Sequence, residues 1–370
     1  MAVRLPKELL EDDPAVLAPQ AGLVHVTDDQ AGWTRRVCGR GFSYRTADGT
    51  TLTGGHRSRL ESLVIPPAWQ DVWVCPDETG YLQVTGIDDA GRKQYRYHPD
   101  YASLMDRRKF ERLGHFPRAI PGLRTAVAAE LAQPLGSRRL AVATAAALID
   151  RHLLRVGNED SADDGHHGAT TLMVDHLRNG AEDDNDGEEA GEDEHAGEPT
   201  AVARLDYYSK SGQRRRIKLD DDLARLLERF AAGSEDDRLL WFVDPDDPVR
   251  GDEPRHVSAA EVNEFVRLHT GPGFSTKDFR TWGGSAVALE ARVTGADEVE
   301  AVDAAAAALG NTRTVARSSY VHPRVLEAGA DELRSAWSAS RGSAVRSRGE
   351  AALARLLQGA GPTAATRTSG

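Results

Sequence analysis

The stretch DVWVCPDETGYLQVTGIDDAGRKQYRYH, residues 71–98, settles the architecture of the first part of the chain. Its short apolar and aromatic runs are broken by Pro-Asp-Glu-Thr-Gly and Asp-Asp-Ala-Gly, clusters that end strands and form turns. Upstream, GFSYRTADGTTLTG at 41–54 alternates around an Asp-Gly turn, and IPPAW at 65–69 cannot lie inside a helix because Pro66 and Pro67 remove donors and fix φ. A small antiparallel sheet over 36–98 accounts for all of this. From about Tyr101 the period changes. SRRLAVATAAALIDRHLLRVGN at 137–158 starts at an N-cap, Ser137, and is predicted to be helical to Arg155 before a Gly-Asn stop, burying Leu140, Ala147, Leu148 and Leu154. AVARLDYYSKSGQRRRIKLDD at 201–221 reads as a hairpin turning at Lys210-Ser211-Gly212, with Ile217 and Leu219 alternating against Arg216 and Lys218. Helical patterns follow at 221–232, 258–269, 278–292 and 297–309.

The expected fold is α+β: an N-terminal β-rich domain at 1–112, then a larger, mainly helical domain at 113–345 carrying the hairpin. A tail is expected at 346–370, disordered over its last ten residues.

At 370 residues and 40% hydrophobic the chain can bury a substantial core. No basic-then-apolar leader is present and no run approaches the ~18 apolar residues of a membrane span, so a cytoplasmic protein without a membrane partner is expected. Cys38 and Cys75 stand alone, without the spacing of a disulfide framework or a zinc site. The net charge of −12 argues at first against a polyanionic partner. Ten carboxylates, however, crowd into EDDNDGEEAGEDEHAGE at 182–198; without them 46 Lys and Arg face 48 Asp and Glu, and basic patches can form. That run is expected to be a disordered insertion over about 181–199. Its Glu182, Asp184, Asp186, Gly187 and Asp193 fall at calcium-loop spacing with the wrong residue at both ends, and His166 and His167 lack a spaced third ligand. No metal or other cofactor is expected.

One tyrosine, Tyr320, lies in the polar, basic run NTRTVARSSYVHPRVL at 311–326. In a continuous helix Arg313, Arg317, Tyr320 and Arg324 would share a face, although Pro323 marks an end just past the tyrosine. Taken singly, each reactive candidate has an ordinary reading. Arg155 would neutralise a helix C-terminus, Lys210 would be a solvated turn residue, Arg280 an early-helix arginine and Tyr320 a surface tyrosine.

Their joint order says more. Arg155, Lys210, Arg280, Asn311 and Tyr320 follow the order in which tyrosine-dependent DNA strand-cleaving enzymes set out their catalytic groups. The chain resembles the type IB DNA topoisomerases, specifically their short bacterial and poxvirus-like branch. The resemblance rests on GRGFSYR, IPPAWQDVWV and GYLQVTGIDDAGRKQYRYH in the sheet region and on LRVGNE, GATTL, KSG, TKDFRTWGGS and LGNTRTVARSSYVHP beyond it, together spanning nearly all of 36–326. It implies that Tyr320 is the nucleophile, Arg155 and Arg280 the transition-state cations, Lys210 the general acid and Asn311 a hydrogen-bond donor to phosphate. By the same resemblance the enzyme relaxes supercoils through a 3′-phosphotyrosyl intermediate without ATP or metal. It would act as a monomer enclosing double-stranded DNA, associated with the nucleoid. Arg92, Lys93, Gln94, Tyr95 and Tyr97 would contact DNA from the sheet; Lys277, Arg313, Arg317 and Arg324 would hold nearby phosphates.

The residue chemistry agrees. A phenol with an ordinary pKa of ~10 needs neighbouring cations to become a nucleophile near neutrality, and forked guanidiniums suit a phosphorane better than ammonium groups. The departing 5′-oxygen needs a proton, which a lysine on a hairpin tip can deliver. An amide at Asn311, where relatives carry His or Asn, donates without titrating. Two positions depart from the family pattern: Ser209 stands where relatives usually have Gly before the lysine, and Ser161 where they tend to have a phosphate-contacting Tyr. Two other readings share some of these features. A tyrosine recombinase uses the same Arg/Lys/Arg/Tyr plan but normally has His three residues before its second arginine, where this chain has Lys277. A DNA-binding protein without cleavage would have no need of the complete set of five.

Overall fold

The computed structural model describes residues 3–178, 203–247, 251 and 253–359. The acidic run at 182–198, with its calcium-loop pattern, and the last ten residues lie outside them. The chain is α+β and divides into two units, Pro6–Glu111 and the chain from Arg112 onward together with the N-terminal residues to Leu5.

The first unit opens with two short helices, α1 (Lys7–Leu10) and α2 (Pro14–Gln20), the second capped by Asp13. Five strands follow, β1 (Trp33–Cys38), β2 (Gly41–Arg45), β3 (Gln70–Val74), β4 (Leu82–Ile87) and β5 (Lys93–Tyr97), with α3 (Gly55–Ser62) between β2 and β3. They form one antiparallel sheet in the order β2-β1-β3-β4-β5. Interior strand β4 is buried from Leu82 to Gly86 because both sheet faces are covered. Leu17, Tyr81, Leu82 and Leu104 pack in one cluster, while Trp33, Leu60, Val72, Val74 and Val84 pack in another. On edge strand β5 the alternation leaves Tyr95 and Tyr97 about half exposed on one face, their rings parallel and 6.1 Å apart. Helix α4 (Pro99–Leu113) leads out of the sheet.

The second unit is helical around a hairpin. Helices α5 (Phe116–Glu130), α6 (Arg138–His152) and α7 (Glu159–Asp163) precede a three-stranded sheet of β6 (Leu177–Arg178), β7 (Arg204–Ser209) and β8 (Gln213–Lys218). After α8 (Asp221–Ala232) and the short pair β9 (Trp241–Phe242) and β10 (Arg255–His256) come α9 (Ala259–Thr270), α10 (Thr276–Val293) and α11 (Glu298–Leu309). The chain ends in α12 (Arg313–Ser319), α13 (Pro323–Glu327), α14 (Ala330–Ser338) and α15 (Arg348–Gly359). Capping boxes at Ser258/Glu261, Ser275/Asp278 and Asp297/Glu300 start α9, α10 and α11. Helix α10 is the axis: Phe279 and Trp282 bury against Phe116, with ring centroids 4.9 and 6.1 Å away. Among the described residues no helix is long and apolar enough to cross a membrane.

Three boundaries differ from expectation. Helix α6 stops at His152, short of Arg155, because Leu153 is left-handed at φ 55°. A leucine there costs about 1–2 kcal/mol, and its carbonyl is taken by Arg280 instead of the helix ladder. The run from Asn311 is not one helix: α12 ends at Ser319 and Pro323 starts α13 at a new N-terminus. Residues 348–359, which composition assigns to a tail, form α15 with Ala352, Leu353 and Leu356 buried. Its Glu350 accepts from Trp282 Nε1 at 2.9 Å and shares Arg124 with Asp150, Arg124 Nη2 lying 2.7 and 2.6 Å from the two carboxylates.

Candidate active site

Arg155 stands just beyond the strained end of α6, and its backbone is braced from outside. Ala169 N donates to Arg155 O at 2.8 Å and Thr170 N to Val156 O at 2.7 Å. A Cβ on Gly168 would meet Gly157 N at 2.5 Å and Arg155 O at 2.7 Å, so only glycine lets the GATT segment lie this close. Arg155 Nη2 donates to Asn311 Oδ1 at 2.5 Å. A guanidinium has no acceptor, so this bond fixes the amide orientation and leaves Asn311 Nδ2 as a buried donor with no partner among the described residues. Asn311 is itself placed by Gly310, the left-handed residue that closes α11, and its N–H bonds back to Ala306 O at 2.9 Å.

Arg280 lies in the second turn of α10 and is 4% exposed. Its guanidinium donates to Leu153 O at the end of α6 and to Leu309 O, 2.8 Å away, at the end of α11. Two glycines permit this approach: a Cβ on Gly283 would collide with the Leu153 side chain, and one on Gly284 would lie 2.8 Å from Leu309 Cδ1. The same guanidinium stands 5.1 Å from the centroid of the Tyr320 ring. Burial, with Arg155 adding its repulsion, pushes the Arg280 pKa down to about 10.

Tyr320 is the C-cap of α12, and its carbonyl accepts from Ser285 Oγ at 3.1 Å while that oxygen takes His322 N–H at 2.9 Å. Burial alone would raise its phenol. The charge and hydrogen bond of Arg280, followed by Arg155 and Lys277, outweigh burial and hold it below the ordinary value of 10. Arg155, Arg280, Asn311 and Tyr320 thus converge, with exposed Lys277 adding to the same field. Two guanidiniums, an oriented amide donor and an acidified phenol suit attack on a tetrahedral anionic centre.

Lys210 occupies the 3-10 turn Lys210–Gly212 at the hairpin tip, exposed and without a hydrogen bond or ion pair among the described residues. Ser209, in the family's glycine position, is 3% exposed and closes the turn by donating to Gln213 O at 3.2 Å. The basic face around the tyrosine is divided between two helices and already paired. Arg313 forks onto Asp303 at 2.5 Å, Arg317 binds Glu298, and Arg324, on α13, binds Glu332. In the first unit, Lys93 pairs with Asp28 at 2.6 Å, and Arg92 and Gln94 share Asp88 at 3.0 and 2.8 Å. Tyr95 and Tyr97 remain an open platform.

Sequence reasoning missed Arg215, Tyr207 and Ser285. Arg215 and Tyr207 were legible in strand alternation, which puts Arg215 in phase with Ile217 and Tyr207 in phase with Leu205; Ser285 carried no local signal.

Residues 98–340 match the family model of the eukaryotic DNA topoisomerase I catalytic core, and residues 41–88 match that of the bacterial DNA topoisomerase IB N-terminal domain. The chain is also similar to DNA topoisomerase 1B of Acanthamoeba polyphaga mimivirus, 26% identical over 312 residues that cover 80% of this chain and 87% of the viral one.

Proposed function

Because this chain belongs to the type IB DNA topoisomerases, we propose that it relaxes supercoiled DNA by cutting and resealing one strand through Tyr320. The observation that carries this reading is the Tyr320 ring over buried Arg280, with Asn311 locked by Arg155 so that its free N–H faces away from the guanidinium. Tyr320 Oη, having given its proton to solvent, bonds to the phosphorus of a backbone diester while the bond to the 5′-oxygen breaks. Arg155, Arg280 and Asn311 Nδ2 stabilise the charge on the non-bridging oxygens, and Lys210 Nζ protonates the leaving 5′-oxygen. The strand end stays attached as a 3′-phosphotyrosine while the duplex swivels. Religation runs the same steps backward: the 5′-hydroxyl attacks phosphorus, its proton returns to Lys210, and the tyrosine leaves. One diester is exchanged for another, so no ATP is consumed, and side-chain cations supply the charge that a metal would otherwise provide.

Lys277 holds the phosphates beside the scissile one. Arg313, Arg317 and Arg324 serve flanking phosphates by exchanging their carboxylate partners, and Arg92, Lys93 and Gln94 do so beside the Tyr95/Tyr97 platform. The family resemblance supports action as a monomer that encloses the duplex in the cytoplasmic nucleoid. The test is a supercoiled plasmid incubated with enzyme in EDTA without ATP, beside Tyr320→Phe. Wild type relaxes the plasmid and the variant binds DNA without relaxing it. No relaxation by wild type, equal relaxation by the variant, or trapping of protein on a 5′ end would each overturn the reading.

A further inference from the structure

The hairpin that carries Lys210 is joined to the Asn311 segment by one side chain. Arg215, two residues into β8 and 8% exposed, turns away from its exposed neighbours Arg214 and Arg216. Its Nη1 donates to Ala308 O at 3.0 Å and Ala307 O at 3.3 Å, and its Nη2 to Ala308 O at 3.0 Å. These are last-turn carbonyls of α11 at the negative end of its dipole, and although Ala307 O also takes the Gly310 N–H at 3.2 Å, a fork of donors fits them well. Gly310 supplies the room, since a Cβ there would lie 2.5 Å from Arg215 Nη1. Beneath it, Tyr207 faces Arg215 across the hairpin and is 3% exposed; burial raises its phenol, so it stays neutral beside Arg155 and Arg280.

Leu205, Tyr207 and Ser209 are buried on the same face of the hairpin, but beside the clamp the junction is open. Between β8 and the end of α11 an open groove of about 780 Å³ is lined by Arg151, Lys218, Ala306 and Asn311 among others. The guanidinium clamp therefore sets the distance between the hairpin tip and Asn311, where apolar contact would otherwise do so.

We propose that Arg215 is a positioning residue that holds the Lys210 hairpin at the reach needed to protonate the leaving oxygen, an inference that rests on the function proposed above. Arg215 sits on the hairpin itself, five residues from Lys210, and grips the helix that ends immediately before Gly310 and Asn311. Releasing it frees the acid while leaving Arg155, Arg280 and Tyr320, which are held by other bonds, in place.

The experiment compares single-turnover cleavage by wild type, Arg215→Met, Arg215→Lys, Lys210→Ala and the Arg215→Met/Lys210→Ala double variant. Two duplexes are used, one with the normal 5′-oxygen at the scissile bond and one with sulfur there, whose thiolate leaves without protonation. Methionine keeps the stem's packing, and near-UV circular dichroism verifies the fold. Displacing a catalytic group by about 1 Å costs on the order of 10²-fold. Arg215→Met and Arg215→Lys should lose about that much on oxygen, and both should come within a few-fold of wild type on sulfur. In the Lys210→Ala background Arg215→Met should add no further loss. Equal losses on oxygen and sulfur, or a full additional loss in the double variant, would assign Arg215 to the phosphorane's electrostatics or to folding and overturn the proposal; so would an undiminished rate on oxygen. If wild type cleaves neither duplex, the function itself has failed, a result separate from all of these.

Discussion

Gly283→Ala should slow strand cleavage while leaving the protein folded. A Cβ at Gly283 would lie 3.2 Å from Leu153 Cγ, 3.0 Å from Cδ1 and closer still to Cδ2. Carbon pairs are comfortable near 3.5–4.0 Å, so α10 and the Leu153 turn must part by roughly 1 Å or Leu153 must leave its rotamer. Overpacking of this kind costs about 1–3 kcal/mol, but replacing a mid-helix glycine by alanine returns about 1 kcal/mol. The net loss is then roughly 0–2 kcal/mol, small enough to leave the protein folded. The rate has no such offset, because Arg280 reaches Leu153 O from the same helix face. A displacement near 1 Å is worth about 10²-fold in rate. Single-turnover cleavage of a duplex whose cut fragment dissociates gives the rate, and thermal unfolding gives the stability. Leu153→Ala in the Gly283→Ala background removes the colliding atoms and should recover most of the rate. A wild-type rate for Gly283→Ala, or no recovery in the double variant, would refute the steric account.

Three further outcomes follow from named contacts. Asn311→His replaces a non-titrating donor by an imidazole with an ordinary pKa near 6.5, so the cleavage rate should fall as pH rises through neutrality, whereas wild type shows no such limb. Lys277→Gln removes one of the cations that depress the Tyr320 phenol; the alkaline rise in cleavage rate should move to higher pH, and a move to lower pH would contradict the assignment. Glu350, buried with Arg124, is held below its ordinary value of 4.5 despite the burial that opposes this. Its stabilisation is therefore fully present above that value and is lost as pH falls through the depressed one. Because Arg124 keeps Asp150, Glu350→Gln should cost about 1.5–3 kcal/mol near neutrality and flatten the acid limb of the unfolding curve.

Much of the fold is local and was legible. The alternation and turn clusters of 71–98 became β3, β4 and β5, and the capped helical patterns became α8, α9, α10 and α11. The positions of Arg155, Arg280, Asn311 and Tyr320 were indicated by family order, but their meeting point depends on contacts far apart in sequence. Nothing near Leu153 announces a left-handed residue, because what stabilises it is Arg280, 127 residues away. The basic run is divided at Pro323, where the sequence already marked an end, and its arginines are paired with Asp303, Glu298 and Glu332, which come from neighbouring helices that no local pattern reveals. Helix α15 was read as part of a tail because small and polar residues follow it, yet its own Ala352, Leu353, Ala354 and Leu356 are buried.

Arg280 ties the end of α6 to the end of α11, so the segments bearing Arg155 and Asn311 share one pin with the cation that lies over Tyr320. Under the proposed function, an enzyme that severs a chromosome is safe only while it mends as readily as it cuts. With a single pin, whatever loosens the cutting arrangement loosens the mending arrangement equally, and a damaged copy tends to become inert before it becomes a nuclease.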